Sequence, residues 1–319
     1  MPDLTHDFRR LAEIARKANR ILLISHKKPD GDTTGSTTAF FNWLVSEGKH
    51  PVMFCVDTPP MTFSYIRNID RYTSDISVFE KKYDLIISFD SGDLRYAGVE
   101  PYMQNLQPGY FLANVDHHKT NAYFGDLNIV ALDASSTSEA VYRFFNANDI
   151  FIDADMATSM LTGICTDTSN FSNPLTSAQS LSAGSNLIAS GARFNDIIRY
   201  FWKNQSFDAL GVWGLMLSRL NYQPTYDIAT SYLTEDELKN MPLVITEQMV
   251  NFLAGAVRDV DTVLLLRERN NGTINGSFRS HVRDVSTLAK TLGGGGHKGA
   301  AAFAMNGKFE KVEGGVRIV

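Results

Sequence analysis

The sequence predicts an α/β protein: a doubly wound, mainly parallel sheet domain followed by a smaller α/β domain. Three observations predict it. Short apolar runs without polar alternation recur, as in ILLIS at residues 21–25, DLIISF at 84–89 and YFLANV at 110–115, which is the pattern of strands buried on both faces. Helix-period stretches separate them, as a parallel sheet built from βαβ units requires. The chain also has 319 residues, more than a single core usually serves, with a proline-containing polar break (NYQPT) at residues 221–225.

The elements follow in order. Thr5 can cap a first helix whose body covers residues 8–18, with Leu4, Phe8, Leu11, Ile14 and Ala15 along one side. The strand at 20–25 runs into the polar loop HKKPDGD, and a helix at 33–47 follows, stopped by Gly48. Strands at 51–56, 84–89, 110–115 and 128–132 continue the sheet, with helices at 138–146 and 154–165. Helices at 177–190, 195–201 and 207–220 form a helix-rich stretch. Beyond the break come a strand at 227–233, helices at 234–239 and 247–254, and strands at 261–268 and 273–280 joined by the hairpin turn RNNG. A helix at 284–292 and a strand at 300–305 close the chain. The expected domains are residues 1–205 and 225–319, with 206–224 as a helical linker.

Composition narrows the function. Apolar residues make up 44% and charged residues 20%, ordinary for a soluble globular protein. The net charge of −5 offers no broad basic face for long duplex DNA. A small anion can still be bound by metal ions and a few placed arginines. Cys55 and Cys165 lie in apolar contexts and read as buried free thiols, which fits a reducing cytoplasm. The amphipathic N-terminus lacks a signal peptide's apolar region, and no run approaches the length of a membrane span. The expected location is the cytoplasm, with no membrane partner.

The strand ends carry the chemistry. The first is followed by His26, Asp30 and Asp32, the DLIISF strand by Asp90, and the YFLANV strand by Asp116, His117 and His118; a further acid, Asp167, follows the apolar segment MLTGIC. In open α/β sheets, ligands bind outside the carboxyl ends of the strands. Taken singly, Asp and Gly after a strand are ordinary turn residues, and one histidine is more often a satisfied polar group. Four segments bearing ligand-type side chains together are not explained that way. Imidazole plus carboxylate suits Mn²⁺ or Zn²⁺ and, with fewer imidazoles, Mg²⁺. One carboxylate could bridge two ions about 3.5–4 Å apart, a pair that activates water and neutralises charge on a phosphoryl oxygen.

Two other clusters invite an anion. The run Gly293–Gly296 before His297 bares backbone N–H groups, against the default of a flexible loop; Arg279 and Ser280 end a nearby strand, where a surface salt bridge is the ordinary reading for the arginine. The hydroxyls around Ser136 precede a helix, where plain N-capping and phosphate binding are evenly matched.

Together the motifs HKKPDGDTTGS, SFDSGDLR, VDHH, GICTDTSNF and SFRS followed by GGGGHKGAA resemble the DHH phosphoesterase family with its DHH-associated C-terminal domain. The resemblance covers nearly the whole chain. The opening histidine and the short length resemble the oligoribonuclease (nanoRNase) and pAp-phosphatase subgroup. What the resemblance implies is a catalytic metal-binding first domain, a substrate-binding second domain and an active site in the cleft between them. It implies two divalent ions, Mn²⁺ first and Mg²⁺ as the alternative. His26, Asp30 and Asp90 would hold one, and Asp32, Asp90, His117 and Asp167 the other, with Asp90 bridging. His118 would sit near the substrate phosphate as the candidate proton donor, and Asp116 would orient a histidine. Arg279, Ser280, Gly294, Gly295, His297 and Ser136 would bind substrate. Two departures stand out: Ser169-Asn170 where many relatives have a glycine, and Ala301-Ala302 where Ala-Gly is common.

The expected activity is therefore hydrolysis of very short single-stranded RNA, down to dinucleotides, or of pAp to AMP. The alternatives are cyclic or linearised cyclic dinucleotides, or polyphosphate. A nucleotide-binding regulatory module that has lost catalysis is the non-enzyme alternative, and the complete ligand set argues against it. A homodimer is an open alternative for the assembly.

Overall fold

The computed structural model describes residues 3–199, 206–239, 241, 243–257, 259–312 and 315–319. The chain forms two compact units, residues 1–203 and 204–319.

The first unit runs α1 (Thr5–Lys17), β1 (Ile21–Ser25), α2 (Gly31–Ser46), β2 (Val52–Phe54), β3 (Tyr72–Thr73), β4 (Leu85–Phe89), α3 (Leu94–Ala97), β5 (Phe111–Asp116), β6 (Leu127–Val130), α4 (Thr137–Ala147), α5 (Ala154–Asp167), α6 (Ala178–Ala189) and α7 (Phe194–Ile198). Its sheet has the order β3-β2-β1-β4-β5-β6, parallel throughout. The strands are apolar without alternation because both faces are covered. Ile21 and Leu23 enter one core with Leu11, Phe40, Phe144 and Met160, while Leu22 and Ile24 enter the other with Phe54, Phe79 and Ile86. The first core is walled by long helices. The second is covered largely by short 3-10 turns at Ile76–Glu80 and Glu100–Asn105, which have no 3.6-residue period to read in the sequence.

Helices α2 and α5 cross closely. A Cβ on Gly35 would stand 2.3 Å from the Ser159 carbonyl oxygen, so only glycine allows the approach. That crossing brings the start of α2 beside α5 and the residues that follow β1, β4 and β5.

The second unit contains α8 (Phe207–Ser218), β7 (Asn221–Gln223), β8 (Ile228–Leu233), α9 (Glu235–Leu238), α10 (Leu243–Ala256), β9 (Thr262–Arg269), β10 (Thr273–Ser280), α11 (Val285–Thr291), β11 (Gly295–His297), β12 (Ala300–Asn306), β13 (Phe309–Val312) and β14 (Gly315–Ile318). Its six-stranded sheet has the order β11-β12-β10-β9-β8-β7, with β8 and β9 parallel and the other pairs antiparallel. The RNNG turn joins β9 to β10 as expected, with Arg269 opposite Thr273. The stretch expected as a linker is part of this unit: Ala209, Val212 and Met216 of α8 pack with Leu233, Met249 and Val263. The Gly295–His297 segment, expected as part of a glycine run baring its N–H groups to an anion, is an edge strand. The β13–β14 hairpin was not anticipated.

Candidate active site

The sheet order reverses between β1 and β4, and a crevice opens at such a switch point outside the carboxyl ends of the strands. His26 directly follows β1, Asp90 follows β4, and Asp116, His117 and His118 close β5. Asp30 is the N-cap of α2, and Asp32 lies in its first turn. Asp167 is the last residue of α5. The four sequence segments thus meet at one place.

Three triads have ligand atoms within 4.8 Å of one another: His26, Asp30 and Asp90; Asp90, His117 and His118; and Asp32, His117 and Asp167. Asp90 and His117 link them. The oxygens of Asp90 face different histidines, with Oδ2 3.3 Å from His26 Nε2 and Oδ1 3.8 Å from His117 Nε2 and 3.7 Å from His118 Nδ1. Thr137 Oγ1 donates to Asp90 Oδ1 at 2.9 Å and fixes the carboxylate. The Asp90 backbone is left-handed, with φ of 56°, a strained conformation of the kind that gathers at functional sites.

Each imidazole is aimed. His26 Nδ1 lies 2.8 Å from the Lys27 carbonyl oxygen, which can only accept, so Nδ1 carries a proton and Nε2 is the atom turned toward Asp90 and Asp30. His118 Nδ1 is 2.7 Å from Asp116 Oδ1, and Asn121 Nδ2 donates to the other Asp116 oxygen at 2.5 Å. Asp116 therefore orients His118 from a fully buried position. His117 Nε2 is buried and lacks a hydrogen bond of good geometry, although Asp167 Oδ2 is 3.2 Å away.

Asp32 is fully buried. Thr137 N–H donates to its Oδ2 at 2.7 Å and Ser138 N–H to its Oδ1 at 2.8 Å. The N-terminus of α4 thus binds the protein's own carboxylate. A Cβ on Gly163 would stand 2.6 Å from Asp32 Oδ1, so α5 can lie against this carboxylate only with glycine there.

Electrostatics show what the cluster requires. Burial, then the charges of Asp90 and Asp167, raise Asp32 well above the usual carboxylate range. Burial raises Asp167. Burial opposes protonation of His26, but Asp90 and then Asp30 raise it to about 10. Burial opposes it at His117 too, and Asp167 overcomes this. Asp90 goes the other way: burial would raise it, but His26, His117 and His118 hold it well below the usual range. The raised acids and histidines all favour added positive charge at the centre, and Asp90 is the carboxylate that this charge keeps ionised. An unsatisfied imidazole nitrogen, hard carboxylate oxygens and a demand for cationic charge fit divalent ions.

The other expected residues are placed differently. Ser136 is the buried N-cap of α4 and accepts from Glu139 N–H at 3.0 Å, so the capping reading holds there. Ser280 is buried, donates to the Asp261 carbonyl at 2.6 Å and accepts from Arg283 N–H at 2.8 Å. Arg279 Nε donates to Asn251 Oδ1 at 2.8 Å and Nη1 to the Phe278 carbonyl oxygen at 2.9 Å. Within the glycine run, Gly293 and Gly294 close α11 by donating to the Lys290 and Ala289 carbonyls. A Cβ on Gly294 would meet the Ala302 carbonyl at 2.1 Å, whereas Gly295 faces open space. The backbone of His297 pairs with Ala300, and its side chain lies outside the described residues. After Asp167 and Thr168 come three left-handed residues, Ser169, Asn170 and Phe171, so the departure from glycine is accommodated by ordinary side chains in that conformation.

Thr137, Asn121 and Gly163 were missed. Thr137 lay within the hydroxyl cluster for which capping and phosphate binding are evenly matched in the sequence, while Asn121 and Gly163 carry no local signal.

This fold and cluster define a metal-dependent phosphoesterase, a hydrolase with its ligands at the switch point of a parallel sheet. More particularly, residues 20–164 match the family model described as DHH family, N-terminal domain. The chain is 26% identical over 309 residues to the bifunctional oligoribonuclease and PAP phosphatase NrnA of Thermus thermophilus, covering 96% of this chain and 90% of that one. It is 24% identical to the Bacillus subtilis protein of the same name, covering 87% and 86%. Its fold is that of an exopolyphosphatase-related protein from Bacteroides fragilis, with a TM-score of 0.86 at 23% identity over 97% of this chain and 92% of that one.

Proposed function

We propose that the protein hydrolyses very short single-stranded oligoribonucleotides to mononucleotides, and pAp to AMP, with two divalent ions, Mn²⁺ first. The observation that carries this is the divided carboxylate of Asp90, with one oxygen toward His26 and the other toward His117. That is the arrangement a bridging ligand needs. The end-to-end similarity to oligoribonuclease and PAP phosphatases supports the substrate class.

His26, Asp30 and Asp90 would hold one ion, and Asp32, Asp90, His117 and Asp167 the other. Bound there, the ions would lower the pKa of water and neutralise charge on the phosphoryl oxygens. Asp30, the most exposed member of its triad, marks the side open to substrate. His118, one third exposed and held by Asp116, would give a proton to the leaving oxygen. For the far end of the substrate the reading rests on the resemblance, with Arg279, Gly295 and His297 as its candidates; Ser136, Ser280 and Gly294 already serve the fold. A cytoplasmic location is part of the reading. Its support is the buried free thiols of Cys55 and Cys165. Among the described residues, no helix is long and apolar enough to cross a membrane.

A turnover panel of 5′-phosphorylated dinucleotide, pAp, cyclic dinucleotide and polyphosphate, each with Mn²⁺ and with Mg²⁺, tests the proposal. Monomer release from the dinucleotide or AMP from pAp is expected. Turnover confined to cyclic dinucleotides or polyphosphate would replace the substrate assignment.

A further inference from the structure

Tyr96 stands beside the metal cluster with an aromatic face that no role above uses. It lies in the single turn of α3, and Asp93 pins its backbone by accepting the Tyr96 N–H at 2.5 Å. The phenol ring sits 5.1 Å from the His26 ring, centre to centre, at an interplanar angle of 45°. His26 is 3% exposed, whereas Tyr96 is 47% exposed. One side of the phenol ring therefore covers a candidate ligand, and the remainder is open to solvent.

The side chains gathered in the cluster are carboxylates, imidazoles and hydroxyls. These serve a phosphate and the ions; the imidazoles are flat, but in the proposed function they are committed to the ions and the leaving oxygen, so none offers a free flat surface for a base. Tyr96 does, on a pinned backbone and in ring contact with His26. An aromatic ring stacks on any base, because every base has a π-face, so such a contact selects nucleotides as a class without selecting sequence.

We propose that the open face of Tyr96 is a nucleobase-stacking subsite. It receives the base of the nucleotide whose phosphate lies at the cluster, and so favours nucleotide phosphoesters over inorganic phosphate. The inference rests on the phosphoesterase reading above and names the substrate feature recognised at that site.

The test uses the full chain loaded with Mn²⁺, as wild type, Tyr96→Phe and Tyr96→Leu. Calorimetry measures the affinities for AMP, for inorganic phosphate and for Mn²⁺, and steady-state kinetics measure KM and kcat on a 5′-phosphorylated dinucleotide. Tyr96→Leu should weaken AMP binding and raise the dinucleotide KM by roughly tenfold or more, with kcat little changed. Tyr96→Phe keeps the ring and should stay within about twofold of wild type. Phosphate and Mn²⁺ affinities should not move. The subsite is overturned if wild type does not bind AMP, if Tyr96→Leu binds it as tightly, or if phosphate and Mn²⁺ affinities fall as far as the AMP affinity. In the last case Tyr96 acts only through His26. If AMP binding depends on Tyr96 but no dinucleotide is cleaved, the proposed activity fails and the subsite stands.

Discussion

The backbone N–H of Thr137 donates to the carboxylate of Asp32 at 2.7 Å, across 105 positions of sequence. With Ser138 N–H on the other oxygen, this ties the first turn of α2 to the first turn of α4. Asp32 is therefore a structural cap as well as a candidate metal ligand. The Asp167 carboxylate, by contrast, has His117 as its near partner and accepts no backbone N–H among the described residues. Asp32→Ala should thus destabilise metal-free protein by about 2 kcal/mol more than Asp167→Ala, because two buried donors are orphaned. Urea unfolding after dialysis against chelator measures the difference. Equal losses would mean that the helix end does not depend on this carboxylate.

Asp116 acts through His118. Asp116→Asn keeps the shape but replaces an oxygen pair by an amide, which cannot accept from His117 N–H, His118 Nδ1 and Asn121 Nδ2 together. Turnover or metal affinity should fall roughly 10- to 100-fold, as for other groups that orient metal-site histidines. Circular dichroism should show the fold retained. Full activity in this variant would remove Asp116 from the orienting role.

In the second unit, Arg219 and Glu237 form a bidentate pair, with both bonds at 2.7 Å and side chains only 19% and 21% exposed. The bond to Arg219 holds Glu237 down to about 2, against an ordinary value of 4.5. The folded state favours the ionised form, so the stabilisation is complete above about pH 4.5 and disappears as pH falls toward 2. Glu237→Gln should cost about 1–2 kcal/mol at neutral pH, after allowing for partial solvent screening. The gap to wild type should close in acid. A gap independent of pH would show that the loss comes from packing or from the Thr234 capping contact instead.

Much of this was legible in the sequence. The unalternating runs at β1, β4 and β5 announced a two-sided parallel sheet, and the acids and histidines after them announced the cluster. Its location followed from the rule that strand ends face the crevice. What failed to show had no local signature. The second face of the sheet is covered by 3-10 turns, which leave no period, and β3, β7 and β11 are only two or three residues long. The glycine run looked like an anion loop because a helix end, a close backbone approach and an edge strand fall on consecutive residues there. Ser136 looked available for phosphate because nothing near it in sequence revealed that Asp32 takes the α4 N–H groups. Contacts of that range depend on the packing of α2 against α5, fixed by Gly35 and Gly163, and no window of sequence contains it.

We propose that Asp90 bridges two ions at a phosphoesterase centre for short RNA. The most direct measurement is metal stoichiometry and turnover in parallel, for wild type and Asp90→Ala, with Mn²⁺ and a labelled 5′-phosphorylated dinucleotide. Wild type should bind two Mn²⁺ per chain and release mononucleotides, while folded Asp90→Ala should lose the second ion and cleave nothing measurable. Unchanged turnover in Asp90→Ala, or intact dinucleotide with a long RNA degraded in its place, would contradict it.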